Sequence, residues 1–150
     1  NSGKTFIASE IIKKLKSMNY NVASIKHAHH DFDVDHNNTD SYILRKAGSQ
    51  QIIVSSAKRW VKITELKNNK EKTLQQLLEQ LDKSEYVIVE GFKNENHPKI
   101  EIIKTNTKSY LFNKISNVIG LISDTKVDSN LPQFKINEID LLTNFILKEI

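Results

Sequence analysis

The sequence predicts a single α/β domain, residues 1–150, of three layers built on a mainly parallel sheet. Three observations predict it. Helix-like and strand-like stretches alternate along the chain. One of the strand-like stretches, 86–89, is a continuous apolar run that ends in an acid, the pattern of a buried parallel strand. The chain opens on Asn1-Ser2-Gly3-Lys4-Thr5, which reads as the second half of a phosphate-binding loop, G-x-x-x-x-G-K-[ST].

Phosphate chemistry explains the residue types of that opening. Gly3 lets backbone N–H groups close around phosphate oxygens, and the following helix turns its positive end toward them. Lys4 is expected to reach the terminal phosphates and the Thr5 hydroxyl to ligate Mg²⁺. Asn1, Ser2 and Phe6 complete the expected nucleotide-binding stretch. The first glycine of the motif and the strand that carries it are expected upstream of Asn1. Residues 6–18 then show helical periodicity, with Ile7, Ile11, Leu15 and Met18 on one stripe and Lys13, Lys14 and Lys16 outward. Residues 22–25 read as a strand, so the opening has the order of a βαβ unit.

Composition excludes several classes. With 38% hydrophobic residues the chain can bury a real core, and it has no apolar run long enough to span a membrane and no signal-peptide pattern. Zero cysteines exclude disulfides and thiolate metal sites and fit a reducing cytoplasm. A formal charge of +4 favours an anionic ligand. The basic residues are dispersed and aromatics are only 7%, so a nucleic-acid surface is not expected.

Residues 26–40 form the densest polar cluster, with His27, His29, His30 and His36 beside Asp31, Asp33 and Asp35. It follows a strand, where loops of open α/β sheets gather at the ligand edge. Such residues can bind a transition metal, or can bond one another and position Mg²⁺ or phosphate. Ligand spacing is irregular, which favours the second reading. Phe32 and Val34 alternate with the acids, so part of the loop is expected to be extended and to pack two apolar side chains.

Residues 40–48 read as a short helix with Thr39 as N-cap, Gly48 as stop, and Ile43, Leu44 and Ala47 inward. Arg45 can aim at phosphate from there or be an ordinary surface arginine. Residues 51–55 and 60–64 are expected strands, and 70–81 a helix burying Leu74, Leu77, Leu78 and Leu81. In Tyr86-Val87-Ile88-Val89-Glu90, an apolar run ends in an acid, as a buried strand does when it carries a Walker B carboxylate to the ligand edge. Glu90 is expected to contact Mg²⁺ or orient an attacking water. Residues 99–104 and 118–122 supply further strands, and 136–150 an amphipathic helix. Between them, Thr125-Lys126-Val127-Asp128 matches the guanine-reading [NT]-K-x-D, a pattern short enough to be an ordinary turn as well.

Over nearly its whole length the chain resembles the molybdopterin-guanine dinucleotide biosynthesis protein B family. The resemblance rests on Asn1-Ser2-Gly3-Lys4-Thr5 and on Ile25-Lys26-His27-x-His29-His30-x-Phe32-Asp33-Val34-Asp35. It continues through Asp40-Ser41-Tyr42, Arg45-Lys46-Ala47-Gly48, Val89-Glu90-Gly91-Phe92-Lys93 and Pro98-Lys99-Ile100-Glu101. It implies a P-loop GTP-binding protein, usually a homodimer, that acts where GMP is attached to the molybdenum-bound pterin. It further implies feeble GTP hydrolysis and an assisting role beside a nucleotidyltransferase. Two departures stand out. The family often has Gly-Lys where this chain has Asn38-Thr39, and a basic residue where it has Ile43. A phosphate contact from that lysine is therefore absent.

The expectation is thus a P-loop α/β domain binding GTP and Mg²⁺. Lys4, Arg45 and the loop amides hold phosphates, and Thr5 holds Mg²⁺. Glu90 with Asp33 or Asp35 completes the metal shell or positions water, and Thr125, Lys126 and Asp128 read the base. The competing class is a metallochaperone GTPase using His27, His29, His30 and His36. A small-molecule kinase is disfavoured, because no arginine-rich lid separates the strands.

Overall fold

The computed structural model describes residues 3–28 and 32–150. In chain order the elements are α1 (Lys4–Ser17), β1 (Val22–Lys26), α2 (Asp40–Lys46), β2 (Gln51–Ser55), β3 (Trp60–Thr64), α3 (Leu74–Leu78), β4 (Tyr86–Glu90), β5 (Lys99–Ile103), β6 (Val118–Ser123), β7 (Gln133–Phe134) and α4 (Ile139–Glu149). They fall into two compact units, one formed by Asn1–His27 with Leu74–Ile150 and the other by Ala28–Thr73.

In the first unit every strand pairing is parallel. β1 runs beside β4 with Lys26 opposite Glu90, and β6 lies between β5 and β7. The central position of β6 explains its run of apolar residues, which is buried from Gly120 to Ser123. Ile7, Ile11 and Leu15 follow one another at the helical repeat of four and bury one face of α1. They form a core with Ile122 of β6 and Leu142 and Ile146 of α4, flanked by Val22, Tyr86 and Ile88. Each such aliphatic side chain contributes roughly 1.5–3 kcal/mol over an exposed one. Met18 falls just past the helix end and is 39% exposed, so the predicted stripe stops at Leu15. Ile103, Leu121 and Val127 make a second cluster, packed by Tyr110 and Phe112. The buried Glu101 carboxylate accepts the N–H groups of Leu111 and Phe112, both at 2.8 Å, and so ties the connection after β5 back onto that strand.

The second unit holds the antiparallel β2–β3 hairpin and α2. Thr39 caps α2 as expected, its hydroxyl accepting the Tyr42 N–H at 3.4 Å. The expected inner face is absent, since Ile43 and Leu44 are more than half exposed and no residue of α2 is buried. In the loop before it, Phe32 and Val34 are exposed while Asp35 is buried, the reverse of the predicted packing. An arginine partner, described below, explains the inversion.

Two helices are shorter than periodicity suggested. Residues 70–73, Lys-Glu-Lys-Thr, have no apolar group to bury, and the α3 helix starts at Leu74. Leu74 is buried, whereas Leu77, Leu78 and Leu81 are only half-buried. Before α4, the Glu138 carboxylate accepts the Lys135 N–H at 2.8 Å and holds a turn, so that helix begins at Ile139. The two-residue β7 has too little sequence to announce itself.

Candidate functional site

The site is assembled where α1 begins and the parallel strands end, the edge at which open α/β sheets receive ligands. Gly3 sits at φ 75°, a left-handed conformation suited to glycine, and its carbonyl accepts the Ile7 N–H at 3.0 Å to start the helix. The geometry sets Thr5 in the first turn with its side chain facing Glu90. The hydroxyl donates to the Glu90 carboxylate, 2.9 Å from Oε2 and 3.1 Å from Oε1. The nearer separation is that of two neighbouring oxygens around an octahedral Mg²⁺, about 2.9 Å for bonds of 2.0–2.1 Å. A hydroxyl and a carboxylate are also the hard oxygen donors that ion prefers.

Lys26 completes the cluster. At the end of β1, opposite Glu90, it places its ammonium 3.5 Å from Thr5 Oγ1 and 3.6 Å from Glu90 Oε2. The Glu90 side chain is 17% exposed and that of Lys26 62%. The backbone behind them is tightly built. The His27 N–H donates to the Glu90 carbonyl at 2.8 Å, and the His27 ring stacks on Phe92 at 4.6 Å. Both Gly91, at φ 109°, and Phe92, at φ 50°, are left-handed, and a Cβ on Gly91 would lie 2.5 Å from His27 Cβ.

Beside Gly3 opens a cavity of about 420 Å³, within the range of small-molecule sites. Lys104 and Thr105 after β5, and Ser123 and Asp124 around the end of β6, line it. The loop that follows is held by Gln133, whose side-chain amide accepts the Val127 N–H at 3.0 Å and donates to the Val127 carbonyl at 2.6 Å. Val127 is thereby buried, while Thr125, Lys126 and Asp128 are exposed.

The remaining expected residues are distributed as follows. Lys4 and Phe6 are exposed at the start of α1. Asn1, Ser2, His29, His30 and Asp31 lie outside the described residues. Among the described residues, no cluster of three or more His, Asp or Glu side chains is arranged to hold a metal ion. In the second unit, Arg45 binds Asp35 at 2.6 Å, Asp33 at 2.8 Å and Glu65 at 3.4 Å. Its hydrogen bond to Asp35 holds that carboxyl below the ordinary aspartate range, against the opposing effect of burial, and the same bond raises the pKa of Arg45. Lys26 stood in a motif of the resemblance without a role, and Lys104, Thr105, Asp124 and Gln133 carried no motif signal. Only the fold's habit of gathering strand ends could have pointed to them.

Between β4 and β5 a compact loop contains a half-buried histidine. Lys99 Nζ donates to the carbonyls of Glu95 and His97, at 2.6 and 2.8 Å. Burial, reinforced by the charge of Lys99, pushes the His97 pKa down, and burial likewise lowers that of Lys99.

Comparison with known proteins then gives a consistent result. Residues 1–124 match the sequence model of a family described as molybdopterin guanine dinucleotide synthesis protein B. The molybdopterin-guanine dinucleotide biosynthesis adapter protein of Escherichia coli is 34% identical over 153 residues, covering 98% of this chain and 86% of the relative. The protein of the same name from Haemophilus influenzae is 32% identical over 147 residues, covering 97% and 82%. Among solved structures, one of molybdopterin-guanine biosynthesis protein B superposes with TM-score 0.80 at 21% identity, covering 100% of this chain and 94% of that one. The Bacillus subtilis MobB structure does so with TM-score 0.79 at 24% identity, covering 100% and 92%. The P-loop α/β fold expected from the sequence is therefore the fold of this chain.

Proposed function

The chain belongs to the molybdopterin guanine dinucleotide synthesis protein B family, and from that premise we propose that it is a Mg²⁺-dependent GTP-binding adapter. Its role is in the synthesis of molybdopterin guanine dinucleotide. More finely, it serves the step that attaches GMP to molybdopterin, beside a nucleotidyltransferase, and hydrolyses GTP slowly.

One observation carries the reading: the Thr5 hydroxyl and Glu90 carboxylate meet at 2.9 Å at the N-terminal end of α1. Thr5 and Glu90 would hold Mg²⁺. Bound there, it would neutralise charge on the β- and γ-phosphate oxygens. Lys4 and the N–H groups at the start of α1 bind the phosphates themselves. The cavity beside Gly3, lined by Ser123 and Asp124 just before Thr125, Lys126 and Asp128 in the chain, receives the nucleoside. Within the second unit, Arg45 holds both loop aspartates, Asp33 with its side chain 64% exposed and Asp35 with 5%. Two copies of the chain form the working unit, with the nucleotidyltransferase as partner and molybdopterin as a further ligand.

Binding of a fluorescent GTP analogue to the full chain, followed with circular dichroism, tests this. Lys4→Ala should abolish binding and Glu90→Gln should abolish its Mg²⁺ dependence, with both variants folded. Undiminished binding by folded Lys4→Ala would remove the phosphate-loop assignment. The GTP requirement of dinucleotide formation, with nucleotidyltransferase and molybdopterin supplied, then tests the role.

A further inference from the structure

We propose that Lys26 is a tethered counter-cation for the Thr5–Glu90 pair, one that a divalent metal must displace to enter. The proposal rests on the reading of Thr5 and Glu90 as metal ligands and adds a regulation of that same site. Glu90 is mostly shielded from water, and a shielded carboxylate needs a cation or donors near it. Lys26 supplies both, 3.6 Å from Oε2 and 3.5 Å from the Thr5 hydroxyl. Its placement is not incidental. The β1–β4 register puts Lys26 directly opposite Glu90, and the His27 N–H to Glu90 carbonyl bond locks that register at the strand ends. The backbone therefore delivers the ammonium to the carboxylate whatever else the loop does.

The same geometry makes the contact replaceable. Lys26 is 62% exposed, on a flexible four-carbon stem whose charge is equally well hydrated outside. A compact ammonium on such a stem can leave without disturbing β1. An arginine fork or a buried lysine would not leave so cheaply. The metal site is thus kept neutral at rest, and a metal competes with a group already in the chain.

The test titrates Mn²⁺ alone into the nucleotide-free full chain, read by loss of the free-ion electron paramagnetic resonance signal. Lys26→Met should bind Mn²⁺ roughly three- to fivefold more tightly than wild type, the scale of a partly exposed ion pair. Binding gained by the variant and absent in wild type is the same result at the detection limit. In a Glu90→Gln background, Lys26→Met should change nothing, because the competition is for Glu90. Lys26→Gln, which keeps polarity and removes charge, repeats the measurement should the methionine weaken folding. Unchanged or weaker Mn²⁺ binding in both neutral variants overturns the proposal, as does a gain that persists without Glu90. A parallel titration with a non-hydrolysable GTP analogue separates the two readings. If Glu90→Gln weakens Mn²⁺ there while Lys26→Met gains nothing, the metal site stands and the counter-cation falls. If Glu90→Gln has no effect there, both fall.

Discussion

Arg45 Nη2 lies 2.6 Å from Asp35 Oδ1, and its Nε donates to the other oxygen of the same carboxylate at 3.4 Å. Both side chains are nearly closed off from water, 12% exposed for Arg45 and 5% for Asp35. This pair, not an apolar cluster, is what the loop before α2 buries. A planar guanidinium can satisfy a carboxylate on two edges at once, which is why an acid can occupy the inward position that Phe32 and Val34 leave.

Removing one partner should therefore cost more than removing a surface charge. Asp35→Asn should lower the urea midpoint at neutral pH, and clearly more than Asp33→Asn, whose carboxylate is 64% exposed. The hydrogen bond from Arg45 lowers the Asp35 pKa in the folded chain. Its stabilisation is then complete above the unfolded value of about 3.9 and disappears as pH falls below it. Midpoints measured from pH 7 down to 2 should fall for wild type through that acid range, and less steeply for Asp35→Asn. Equal effects of the two asparagine variants would discard this account.

His97 gives a second pH dependence in a different window. Its folded pKa is lowered, first by burial and then by Lys99, so the unfolded chain takes up the proton more readily. Stability from this residue is full above the unfolded value of about 6.5 and declines as the medium is acidified below it. His97→Gln should flatten the change in urea midpoint between pH 7 and 5. An unaltered slope in the variant would assign that change to other groups.

Base choice can be tested through the loop that Gln133 holds. GTP should compete better than ATP, and Asp128→Ala should narrow the gap by about tenfold, the scale of a lost hydrogen bond to a charged group. Gln133→Ala should narrow it too, because Val127 loses both bonds that fix the loop between Lys126 and Asp128. Competition assays on both variants decide it. Selectivity retained in Asp128→Ala would move base reading to another segment.

The proposed pairing of two copies has a candidate surface in the β2–β3 hairpin. Ile53 and Trp60 project from one face and Val54 and Val61 from the other, and all four are exposed, Trp60 by 67%. A two-stranded hairpin that is apolar on both faces is a poor structure in water alone. Trp60→Ser should shift the chain toward monomer in sedimentation velocity at micromolar concentration. A wild-type monomer under those conditions would refute the pairing.

The parts of the site readable in the sequence are those whose chemistry requires a fixed order of residue types. Gly3-Lys4-Thr5 follows the residue order of a phosphate-loop pattern and opens α1, and Glu90 stands at the end of an apolar strand. Parallel pairing was likewise legible, because the apolar run of β4 reads as a buried parallel strand and β4 pairs in parallel with β1. The place of Lys26 beside Glu90 was not legible. A lysine opposite Glu90 is a fact of strand register, which a single sequence does not print. Arg45 reads as a surface or phosphate residue until three carboxylates from separate positions are seen to converge on it. The misjudged face of α2 has the same origin: periodicity shows that apolar groups are aligned, without showing that anything covers them.

Gly91 carries a cost that outlasts any one experiment. It has no chemistry of its own, yet any side chain there would meet His27 at a separation that carbon atoms do not tolerate. A shift of His27 would strain the bond from its N–H to the Glu90 carbonyl, next to the Lys26–Glu90 register. In a saturation screen scored for nucleotide binding, position 91 should be less tolerant than the exposed run 93–96. The mutational vulnerability of the centre is thus wider than its list of ligands, and the added breadth is set by a hydrogen atom that no larger group can replace.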